Sequence, residues 1–123
     1  MKERMIKVLG DEELEFAGIL QSLGMPRTVA ILITYLAIAG EATSRQIQQA
    51  TGLNQPEISI TIRDIRDENW IDDREVKTGA KGRHSVAYSL RTPIDEIINR
   101  LEDEKKKEHA EAMENIRKLK RLV

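Results

Sequence analysis

The stretch from Gly40 to Ile71, GEATSRQIQQATGLNQPEISITIRDIRDENWI, decides the fold. Thr43 and Gln46 have the T-x-x-Q spacing of a capping box, in which side chains and backbone at a helix start satisfy each other's hydrogen bonds. A short helix follows, with Ile47 and Ala50 facing inward, and it breaks at Gly52. A second start comes at once: Asn54 can cap, Pro56 is tolerated in the first turn, and Glu57 at the third helical position suits the helix dipole. This second helix is predicted to run to about Asn69. Ile47, Ala50, Leu53, Ile58, Ile62 and Ile65 then form one apolar set that welds the two short helices across the turn Thr51-Gly52-Leu53-Asn54. That is the helix-turn-helix pattern.

Upstream, Leu14, Ala17, Leu20 and, one step off, Ile19 and Leu23 recur at helical spacing, predicting a helix over 12–23 that ends at Gly24. Met5, Ile6, Val8 and Leu9 before it form an extra turn or an arm. A further helix is expected from Pro26, which suits the first helical position, to Gly40, with Val29, Leu32, Ile33 and Leu36 making it apolar all round and hence buried. Downstream of Trp70 and Ile71 the period changes from 3.6 to 2. Arg74 and Val76, then Val86, Tyr88 and Leu90, alternate with polar neighbours around Thr78-Gly79-Ala80-Lys81-Gly82-Arg83. A β-hairpin with a glycine-rich basic tip, directly after the second short helix, reads as a wing. Pro93 opens a last helix that continues to the C-terminus.

A 40% hydrophobic fraction over 123 residues supports one core, and with aromatics at only 3% that core must be aliphatic. No cysteine is present, which excludes disulfides, thiolate zinc sites and a thiol nucleophile. The chain begins without a secretory signal pattern and has no apolar run long enough to span a bilayer, so a cytoplasmic protein with no membrane partner is expected. Net charge is −1, yet between Arg74 and Arg91 five basic residues stand against Glu75 alone. A local basic patch of that kind can guide a neutral protein onto a polyanion.

The text quoted above, with the GAKGR hairpin tip and the VAYSL strand, resembles winged helix-turn-helix transcriptional regulators of the MarR, ArsR and TrmB-like group, in their archaeal form. The likeness spans Arg27 to Leu90. It implies a mainly α fold with a small β-hairpin wing and a long C-terminal helix, the DNA-binding domain over 1–92 and a dimerisation helix over 93–123. It also implies a short third strand over 41–43, sequence-specific binding of double-stranded DNA, and action as a homodimer. Ile60 stands where relatives often carry a basic residue. The cysteine and histidine clusters of metal-sensing members are missing, and no effector-binding motif matches, so no metal, cofactor or small-molecule effector is assigned.

With Ile58, Ile62 and Ile65 inward at 100° per residue, the opposite face of the second short helix presents Pro56, Ser59, Ile60, Arg63 and Asp67, with Gln55 and Arg66 at its edge. The N-terminal part of such a helix meets base edges, so Gln55, Ser59 and Arg63 are the best-placed readers. The plain alternative makes Arg63 and Arg66 partners in surface ion pairs. Ile60 either touches a thymine methyl or packs elsewhere in a dimer. On the wing, Lys77, Lys81, Arg83 and His84 are placed to contact phosphate or the minor groove, against the alternative of a solvated charged turn. Gly79 to Gly82 also fits a GxxG loop that clamps nucleic-acid backbone, but the hairpin context argues against it.

Trp70 reads as a core anchor between helix and wing, and His84 and His109 as solvated residues too far apart in sequence for a histidine-rich metal site. Asp72 and Asp73 would point to opposite faces of a strand, and GxxxxGK, GxGxxG and HExxH are absent, so no enzyme is expected. The last helix carries two apolar zones, Ile94, Ile97, Ile98 and Leu101, then Ala112, Met113, Ile116, Leu119 and Val123, around a charged middle. Such a helix leaves more apolar surface than a small domain exposes, so a symmetric dimer held largely by this helix, with help from the N-terminal helix, is expected, with crossing or splayed helices in place of a continuous coiled coil. The competing reading of the whole chain is a winged helix used as a protein-interaction module in a transcription or processing assembly, favoured by Asp64, Asp67, Glu68, Asp72 and Asp73.

Overall fold

The computed structural model describes residues 9–77 and 84–123. Met5, Ile6 and Val8 of the expected arm, and Lys81 and Arg83 of the expected wing tip, lie outside the described residues. The chain divides into two units, Met1–Thr92 and Pro93–Val123.

The first unit is built on the helix Arg27–Ala39 (α2), flanked in sequence by the helix Asp11–Ser22 (α1), the strand Ala42–Thr43 (β1), and the helices Ser44–Thr51 (α3) and Gln55–Asp67 (α4). The strands Ile71–Lys77 (β2) and His84–Leu90 (β3) complete it. Eight consecutive residues of α2, Val29 to Leu36, are buried, because α1, α3, α4 and β3 all pack on this one helix. Pro26 proves to be the capping residue just before α2 and not its first helical residue. Gly40, at φ 82, supplies the left-handed conformation that stops α2.

Helix α1 begins with three acidic residues that suit its dipole, and the Gly10 N–H donates to Glu13 Oε1 at 2.8 Å. It buries only Ala17 and Leu20. Leu14, Ile19 and Leu23, which recur at helical spacing, are exposed, Leu14 and Ile19 to more than half of their surface. The reason is geometric: among the described residues α1 packs mainly on α2, and one helix lying on another covers a narrow seam.

The three strands form one antiparallel sheet in the order β1-β3-β2. The register runs from Ile71 opposite Leu90 to Lys77 opposite His84, with Thr43 opposite Ala87 on the other side. Within β3 the buried residue is Ala87, whereas Val86 is exposed and Tyr88 and Leu90 are half-buried. The expected strand is present, and its fully buried residue is the alanine between the larger apolar residues. Helices α2 and α3 both lie close to β3, and the small alanine is the side chain that such an approach accommodates.

Helix α4 ends at Asp67, two residues before the expected stop, because Asn69 takes a left-handed conformation (φ 64) that no α-helix contains. The chain is then fastened at Trp70. Its N–H donates to the Ile65 carbonyl at 3.1 Å, and its own carbonyl accepts from the Arg91 N–H at 2.7 Å. Thr92 Oγ1 donates to the Asn69 carbonyl at 3.0 Å. The end of α4 is thus tied directly to the end of β3. The Trp70 ring is half-buried.

The second unit is a single helix, Ile94–Leu122 (α5), 29 residues long. Ile97 is its one buried residue, Ile94 and Leu101 are half-buried, and Ile98, Met113, Ile116, Leu119 and Val123 are exposed. Ala112 is exposed as well. Among the described residues no helix is long and apolar enough to cross a membrane.

Candidate nucleic-acid interface

The α3–α4 pair is fixed by two capping boxes and one left-handed glycine. The Gln46 N–H donates to Thr43 Oγ1 at 3.2 Å, and Gln46 Oε1 accepts from the Thr43 N–H at 2.9 Å. Asn54 and Glu57 repeat the arrangement at 2.8 and 3.0 Å. Between them Gly52, at φ 81, turns the chain where a side chain would be strained. Ile47, Ala50, Leu53, Ile58, Ile62 and Ile65 are all buried, each large aliphatic contributing roughly 1.5–3 kcal/mol relative to exposure. Thr61 joins them unexpectedly. A buried hydroxyl is tolerated there because it donates to the Glu57 carbonyl at 2.7 Å.

With that face committed to the core, α4 turns Gln55, Pro56, Ser59, Ile60, Arg63 and Arg66 to solvent. Ile60 is 54% exposed, so about half of its surface is open to solvent among the described residues. Gln55 Nε2 donates to Gln48 Oε1 at 2.8 Å, which bridges the start of α4 to α3. Gln48 and the exposed Arg45, both on α3, were not singled out by spacing on α4; the signal that finds them is the polar face of α3 opposite Ile47 and Ala50.

The two arginines of α4 differ. Arg66 Nη2 holds Asp73 Oδ2 at 2.9 Å, whereas Arg63 is exposed and has no partner among the described residues.

Of the five basic residues expected to form a patch between Arg74 and Arg91, Arg74 and Arg91 have carboxylate partners, Lys77 has none among the described residues, and Lys81 and Arg83 lie outside the described residues. Arg74 grips Glu41 through two hydrogen bonds of 2.6 and 2.8 Å, His84 Nδ1 lies 3.7 Å from Glu75, and Arg91 lies 3.9 Å from Asp72. The hydrogen bonds from Arg74 hold the Glu41 carboxyl below its ordinary range, and the same bonds raise Arg74. Counting charge along a sequence window overlooked Glu41, 33 positions away, and the aspartates of β2. Lys77, at the end of β2, is exposed and has no such partner among the described residues. No group of acidic or histidine side chains that could hold a metal ion is found among the described residues.

The arrangement presents an exposed helix face with one free arginine, hydroxyl and amide groups at its N-terminal half, and a strand pair beside it. No known protein-family model matches the chain, and no curated protein matches it either.

Proposed function

We propose that this chain is a winged helix-turn-helix protein that binds double-stranded DNA and regulates transcription as a homodimer. The observation that carries the reading is the row Gln55, Ser59, Ile60 and Arg63, exposed on one face of α4 while its opposite face is locked to α3. A helix held in this way can enter a major groove without rearranging. Gln55 and Arg63 have the donors that adenine and guanine edges accept, and exposed Ile60 suits a thymine methyl. The β2–β3 pair follows α4 directly through Trp70, which supports reading it as a wing that carries Lys77, with Lys81 and Arg83 falling between the two strands in the sequence. The dimer reading is supported by the exposed apolar residues of α5.

Binding is tested by titrating fluorescent duplexes over a range of salt with the full chain and with Lys81→Ala/Arg83→Ala. Each phosphate contact contributes about 0.9 to the log–log salt slope, so the double variant should bind every duplex more weakly with a slope shallower by roughly 1–2. An unchanged affinity and slope removes the wing from the interface.

A second reading, a protein-interaction module, is favoured by the compensation of Arg66, Arg74 and Arg91 by nearby carboxylates. Under that reading the full chain shows no retention of duplex even at low salt.

A further inference from the structure

Helix α5 carries its charge unevenly. From Ile94 to Glu104, Asp95, Glu96, Glu102, Asp103 and Glu104 stand against Arg100 alone, a net charge of −4. From Asn115 to Val123, Arg117, Lys118, Lys120 and Arg121 meet no acidic residue, a net charge of +4. The helix dipole accounts for charges in the first and last turns only. Glu102, Asp103 and Glu104 lie beyond its reach, as do Arg117 and Lys118.

The apolar stripe has a matching symmetry. About a point between Glu108 and His109, Ile94 mirrors Val123, Ile98 mirrors Leu119, Leu101 mirrors Ile116, and Lys105 mirrors Ala112. At 100° per residue these positions fall in a band about 60° wide. Ile98, Ile116, Leu119 and Val123 are exposed, and Ile94 and Leu101 half-buried. The stripe is therefore exposed at Ile98 and throughout its C-terminal half, and half-buried at Ile94 and Leu101.

From these two symmetries we infer that α5 pairs with α5 of a second copy in antiparallel orientation, centred between Glu108 and His109. The proposal rests on the homodimer reading and adds its orientation and register. Antiparallel pairing sets each −4 end beside a +4 end, whereas parallel pairing stacks like on like and Lys105 on Lys105. It also places the small Ala112 opposite the long Lys105, whose Nζ reaches Glu108 Oε1 of its own chain at 3.0 Å. The charged middle, which interrupts a heptad, becomes the centre of a twofold pairing in place of a point where the helices splay.

The chain has no cysteine, so single cysteines report orientation without background. In the proposed register two copies of residue 98 are separated by about 32 Å along the helix, at ~1.5 Å per residue, while residue 98 meets residue 119. Full-length Ile98→Cys and Leu119→Cys are oxidised separately and as an equal mixture, then run without reductant. The expected result is a linked dimer in the mixture and little in either variant alone. Linking by Ile98→Cys alone, with the full-length chain dimeric by sedimentation, overturns the antiparallel orientation and leaves the dimer standing. A dimer that links in none of the three overturns α5 as the contact. A full-length chain that is monomeric at micromolar concentration overturns the homodimer reading itself. A spin label on the exposed site Glu96→Cys gives an independent check: a separation beyond about 35 Å is expected, and one well below about 30 Å contradicts the proposal.

Discussion

Arg63 and Arg66 lie three positions apart on α4, and their different surroundings make a sharp test. Arg66 is held by Asp73 at 2.9 Å, with both side chains about half exposed, while Arg63 has no partner among the described residues. A bidentate arginine contact to guanine is worth about 1–3 kcal/mol of discrimination, which is roughly 5- to 150-fold. Arg63→Ala should therefore narrow the ratio of preferred to random duplex affinity by a factor in that range. Arg66→Ala removes a surface ion pair worth about 0–1 kcal/mol and should change the ratio by less than about threefold. Asp73→Asn frees Arg66 for phosphate, so non-specific binding should tighten and the salt slope steepen by about 0.9. Competition titrations with a preferred and a scrambled duplex measure all three variants. Both positions are exposed, so thermal unfolding should stay near that of the parent chain. Full sequence preference in Arg63→Ala, or equal losses in Arg63→Ala and Arg66→Ala, would refute the reasoning.

Ile58→Ala empties a site that is 1% exposed between α3 and α4, and urea unfolding should show a loss of about 2–5 kcal/mol. Gly52→Ala meets open space around a new Cβ but keeps φ at 81°, so the cost is backbone strain alone, about 1–2 kcal/mol, read as a lowered Tm. The Glu41 carboxyl is lowered from 4.5 by Arg74, so its contribution is present above the unfolded value and fades as pH falls through the folded one. The stability difference between the parent chain and Glu41→Gln should accordingly be constant above about pH 5 and shrink on further acidification. A difference that grows toward acid would contradict the pairing.

The sequence discloses most where structure is local. Thr43 with Gln46, Gly52, and Asn54 with Glu57 announce two helices and the turn between them because caps depend on neighbours three residues apart. The six buried positions from Ile47 to Ile65 follow from helical period, since α3 and α4 each have one polar and one apolar face. What stays hidden depends on distant partners. Nothing near Arg74 in the sequence identifies Glu41 as its counter-charge, yet the two are paired. Ala87 is buried and Val86 exposed where α2 and α3 lie close to β3, an outcome that alternation alone does not encode. Leu14 and Ile19 have helical spacing, but among the described residues α1 packs mainly on α2, which leaves them exposed.

The most direct measurement of the central claim is selection of bound fragments from a random duplex pool by the full-length chain at moderate salt. A dimer offering two α4 helices to successive major grooves, about 34 Å apart, predicts enrichment of an inverted repeat whose half-sites are roughly one helical turn apart. Enrichment should be lost with Arg63→Ala. A pool that emerges without any motif, together with no retention of duplex at low salt, would contradict DNA recognition by α4 and leave the exposed face of that helix to a protein partner.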